Sequence, residues 1–72
     1  MALKFSCNNS DNQFTFMHKT KEERDAVFEF LLEFREKYIH KFTTLTKTVI
    51  QANDAKIWRS MLIALAALNG AI

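Results

Sequence analysis

The spacing of apolar positions changes along the chain, and each change predicts an element. Residues 2–7 (ALKFSC) alternate, with Leu3, Phe5 and Cys7 on one side and Lys4 and Ser6 on the other. That is the period of a half-buried strand. The link at 8–12 (NNSDN) is made of residues that tolerate turn and left-handed conformations. Residues 13–18 (QFTFMH) then alternate again, with Phe14 and Phe16 on one face. The pair predicts a β-hairpin over about 2–7 and 13–18 with one apolar face that needs cover.

The cover follows directly. Thr20 and Glu23 have the spacing of a capping box, and Glu22, Glu23 and Asp25 sit where a helix dipole favours acids. Val27, Phe30, Leu31, Phe34 and Tyr38 recur at helical spacing, and Glu33 and Lys37 form an ordered four-apart pair. Lys37, His40 and Lys41 crowd a C-terminal end near 41. Residues 42–52 carry two signals. Thr43, Thr44, Thr46 and Thr48 lower helix propensity. Yet Phe42, Leu45, Val49 and Ala52 continue the stripe, and no glycine or proline interrupts it. The spacing therefore predicts a long helix over about 21–52, bent near 43, in preference to a third strand. Asp54 is a good N-cap, Trp58, Met61, Leu62, Leu65 and Leu68 form the face of a shorter helix over about 55–69, and Gly70 suits its C-terminal cap. The fold class is α+β: an N-terminal hairpin packed on a long helix, followed by a shorter one. The expected core is Leu3, Phe5, Phe14, Phe16, Val27, Phe30, Leu31, Phe34, Tyr38, Leu45, Val49, Trp58, Leu62 and Leu65.

Composition narrows the function classes. Seventy-two residues make one small domain, 1–72. A chain this short buries only about 60% of its unfolded surface, so association is one route to stability. A single cysteine excludes an internal disulfide framework and a zinc site with several thiolates. One glycine and no proline exclude a glycine-rich phosphate loop. The balance of 10 Lys and Arg against 8 Asp and Glu is too mild to imply nucleic acid by itself. The longest apolar run, Met61 to Leu68, falls far short of the roughly 18 residues of a membrane span. Residues 1–7 are too short and mixed for a signal peptide. The expectation is a soluble, intracellular protein, cytoplasmic or nuclear, and a free Cys7 agrees with a reducing compartment.

Candidate chemistry is sparse. Neither His18 nor His40 has a partner at metal-ligand spacing, so both read as surface or helix-end residues. No metal or other cofactor is implied. Cys7, on the apolar strand side, reads as buried and structural. Glu29, Glu33 and Glu36, interleaved with Arg35 and Lys37, read as a solvated helix face. Phe14 and Phe16 are core, not a stacking platform, and the run from Trp58 to Leu68 is packing, not an interfacial membrane helix. What remains is an apolar surplus. Phe28, Leu32 and Ile39 widen the first helix's stripe, and Ile57 and Ile63 do the same on the last helix. These five are the candidate partner-binding residues. The function they imply is a non-enzymatic protein-interaction module in a homo-oligomer or hetero-complex, with hairpin edges open to strand addition. The alternative is a small nucleic-acid-binding regulator using Lys19, Lys21 and Arg24 at the hairpin–helix junction.

Residues 13–27 (QFTFMHKTKEERDAV), with Leu31, Leu32, Lys41 and Phe42 beyond, carry a further pattern. An aromatic-x-aromatic strand feeds a charged turn and a helix opening with Glu-Arg-Asp-Ala-Val. This resembles the last strand and C-terminal helix of pleckstrin-homology-like domains, of the type found in a core subunit of the transcription and repair factor TFIIH. The resemblance covers residues 2 to about 42 and is best at 23–27. Such domains pack two sheets, so it implies a part of that fold whose hairpin pairs with something else. It also implies a peptide-binding role toward acidic activation segments. The residues that bind them in the family lie largely outside the matched stretch, so none is carried over.

Overall fold

The computed structural model describes residues 3–70. Its elements are β1 (Lys4–Asn8), β2 (Gln13–Met17), α1 (Lys21–Leu32), β3 (Tyr38–Thr43), β4 (Lys47–Ala52) and α2 (Ala55–Leu68). The strands form one antiparallel sheet in the order β1-β2-β4-β3. The α+β class holds, but its arrangement differs from the expected one. The N-terminal hairpin is only half of a four-stranded sheet, and the long helix ends at Leu32.

The helix starts are those the sequence marks. Thr20 Oγ1 accepts from the Glu23 backbone N–H at 3.2 Å, while the Glu23 carboxylate accepts from the Lys19 and Thr20 N–H groups at 2.9 and 3.1 Å. Asp54 Oδ1 accepts from the Ile57 N–H at 2.8 Å and opens α2. At the far end of α2, Gly70 takes the left-handed backbone (φ 76°) expected of a cap.

Residues 33–37 turn the chain out of α1 without glycine, because Glu36 itself adopts φ 67°. Its carbonyl is held by the Asn53 side-chain amide at 2.9 Å. Beyond that turn, β-branched residues meet a sheet edge, and the 3.6 period gives way to a period of two. Thr48, Ile50 and Ala52 of β4 point to the helices, and Lys47, Val49 and Gln51 point away. Thr44 makes the β3–β4 turn, its Oγ1 accepting from the Thr46 and Lys47 N–H groups at 3.3 and 3.2 Å. The register of edge strand β3 slips between His40 and Phe42, a bulge that blunts it.

Both helices lie on one face of the sheet. Phe14, Phe16, Ile50 and Ala52 meet Leu3, Val27, Phe30, Leu31, Met61 and Leu65 there. Trp58 stacks on Phe14 with ring centroids 5.5 Å apart. Phe5, Phe34, Tyr38 and Leu62 flank this core, half-buried. Three expectations fail here. Leu45, placed in the core on its helical spacing, sits in the β3–β4 turn and is 85% exposed. Cys7 is exposed on edge strand β1. His18, read as a surface residue, is 1% exposed and lies 2.9 Å by Nε2 from Thr48 Oγ1, with Nδ1 buried and unpaired. Thr43 donates to Thr48 at 3.3 Å, and exposed His40 lies 2.6 Å from Thr43, so a polar chain runs from solvent to His18.

Candidate interaction surface

A sheet with both helices on one face leaves the other face bare. Val49 stands at its centre, directly opposite Phe42 on β3 and Thr15 on β2. Ile39 is opposite Gln51, and Met17 is flanked by Lys4 on β1 and Lys47 on β4. Val49 is only 7% exposed although no helix covers it, because its cross-strand and diagonal neighbours shield it. Those neighbours stand up into solvent: Ile39 is 55% and Phe42 46% exposed, and Met17 is exposed as well. The Lys47 ammonium lies 5.6 Å from the Phe42 ring centroid, over its face. No Asp or Glu occurs in any of the four strands, and Lys4 and Lys47 stand beside this patch.

The five candidate partner-binding residues fall in different places. Ile39 belongs to this bare face. Phe28 and Leu32 are exposed together, four residues apart on α1. Ile63 is exposed on α2, while Ile57 is half-buried and packed against the core. They do not form one patch. The sequence reading missed Met17, Phe42 and Val49, since Phe42 and Val49 were absorbed into a helical stripe. The signal that finds Val49 is the alternation Lys47–Val49–Gln51 against Thr48–Ile50–Ala52.

Two further features lie on other parts of the molecule. A groove of about 570 Å³ runs between α1 and α2, with Leu3, Ala26, Glu29, Phe30, Glu33 and Ala64 among its lining. A smaller depression of about 350 Å³ is lined by Lys19, Thr20, Lys21 and Arg24 from the entry and first turn of α1, and by Leu45 and Thr46 from the β3–β4 turn. The structure thus gathers the three candidate nucleic-acid-binding cations into one place. Beside them, Glu23 is held below the ordinary carboxylate range, first by the Lys19 backbone N–H and then by the Thr20 N–H and the Lys4 charge.

Among the described residues, no group of three or more His, Cys, Asp or Glu side chains could hold a metal ion. No helix there is long and apolar enough to cross a membrane. No family model, no curated protein and no solved structure matches the chain.

Proposed function

We propose that this chain is a non-enzymatic protein-interaction module that docks a partner on the bare face of its sheet. The observation that carries this reading is the apolar patch of Ile39, Phe42 and Met17 around Val49, on a face that neither helix covers. The mechanism is burial of that patch, at about 25 cal/mol for each Å² of apolar surface removed from water. Charge selects the partner. With Lys4 and Lys47 beside the patch and no acid in any strand, a second copy laid face to face would oppose like charges. An acidic segment carrying apolar anchors is complementary. A peptide-binding role of the kind implied by the pleckstrin-homology-like resemblance falls in the same class.

A nuclear magnetic resonance titration with an acidic amphipathic peptide tests it. The amides of Met17, Ile39, Phe42 and Val49 are expected to shift, and Phe42→Lys to abolish the shifts while the remaining spectrum stays folded. Shifts confined to the outer positions Phe28, Leu32 and Ile63 would transfer the function to the helices. No shift at millimolar peptide would contradict the reading.

A further inference from the structure

The groove between α1 and α2 joins an apolar floor to charge of one sign. Phe30, Ala64 and Leu68 belong to its apolar lining, and Glu29 and Glu33 are the charged residues that line it. Along a continued helix these glutamates would alternate with Arg35 and Lys37. Because α1 ends at Leu32, both cations lie beyond it and neither lines the groove. From Asp25 to Phe34 the chain holds three acids and no cation, and from Ser60 to Gly70 it holds no charge at all. The last turns of both helices border the groove, and neither contains a basic residue. The negative ends of two helix dipoles therefore add to the two carboxylates.

We infer that this groove seats a basic amphipathic helix of a partner protein, its apolar stripe on Phe30, Ala64 and Leu68 and its Lys or Arg side chains against Glu29 and Glu33. Both parts of the groove are then matched: the floor takes the stripe, and the negative wall takes the cations. An acidic segment or a nucleic acid would bring like charge to that wall. An extended segment would find no strand edge to pair with. Leu3, which lines the groove ahead of β1, has its N–H and C=O already bonded to the Asn69 side chain at 2.8 and 3.0 Å. A helix satisfies its own backbone, and Ala26, Ala64 and Ala67 are small enough to let it approach both walls closely. The groove lies on the helical side of the sheet, separate from the bare face of the proposed function, and Ile39 on that face serves as the control.

The test is titration of the full chain with a synthetic amphipathic helix of leucine and lysine, followed by nuclear magnetic resonance and circular dichroism. The amides of Ala26, Glu29, Glu33, Ala64 and Ala67 are expected to shift while the peptide gains helical signal. Glu29→Gln combined with Glu33→Gln should weaken binding about tenfold at low salt, and added salt should narrow that difference. Ile39→Ser should leave the affinity unaltered. The same peptide with glutamate in place of lysine should leave the groove amides unmoved. A doubly substituted chain that binds as tightly as the parent would overturn the inference. So would shifts confined to the bare sheet face, equal binding of the glutamate peptide in the groove, or a bound peptide without helical signal.

Discussion

Replacing Ile50 and Leu45 by alanine, one at a time, separates the observed sheet from the helical continuation that the sequence suggests. Ile50 is fully buried between Phe14 on β2 and His40 on β3, in the cluster that includes Met61 and Leu65. Ile50→Ala removes three carbons, worth about 0.8 kcal/mol each in transfer alone. The cavity left behind adds to this, so a loss of about 3–4 kcal/mol is expected. A domain of this length has roughly 4–11 kcal/mol in total. Each kcal/mol moves the midpoint by about 4–8 °C, so Tm should fall by roughly 12–32 °C. Leu45→Ala touches no packed side chain and should change stability by no more than about 0.5 kcal/mol. A continued helix reverses the order, because Leu45 lies on its apolar stripe and Ile50 off it. Urea denaturation followed through Trp58, which stacks on Phe14, reads both variants. A costly Leu45→Ala beside a mild Ile50→Ala would refute the sheet.

Other consequences are open to measurement. Thr48→Val leaves His18 Nε2 without its partner in a site where Nδ1 already lacks one, and should cost about 1–3 kcal/mol. Adding His18→Leu should cost less than the sum of the two single changes, as a double-mutant denaturation cycle would read. Thr20→Ala removes the hydroxyl that caps α1 and should cost about 1 kcal/mol in chemical denaturation. Because Glu23 is held below its ordinary value near 4.5, its share of that cap is complete above this value. It is lost as pH falls through the lowered folded-state value, and Glu23→Gln should flatten this part of the pH–stability profile.

Local rules of side-chain chemistry made much of the fold legible. Thr20 with Glu23 and Asp54 marked both helix starts, and the alternation about NNSDN marked the first hairpin. The miss lies between Glu33 and Lys47, where neither turn uses glycine or proline. Glu36 carries a positive φ that its type rarely takes, and Thr44 replaces a turn glycine with side-chain hydrogen bonds. Without those marks, the spacing of Phe42, Leu45, Val49 and Ala52 imitates a helix, although the threonines around it already favoured a strand. The same miss hid the candidate surface. A segment read as helix sends Phe42 and Val49 to the core, whereas in the sheet they face away from it with Ile39. The buried His18 was equally hidden, since Thr48 and Thr43 become its polar chain only when β4 lies between β2 and β3.

The bare sheet face is proposed to take an acidic, apolar protein segment. Panning a random peptide library on the wild-type chain tests this without presupposing a partner. Recovered peptides that lose binding to Phe42→Lys should be enriched in Asp and Glu beside aromatic or aliphatic residues. Enrichment of basic or purely polar peptides among these, or recovery of none sensitive to Phe42, would contradict it.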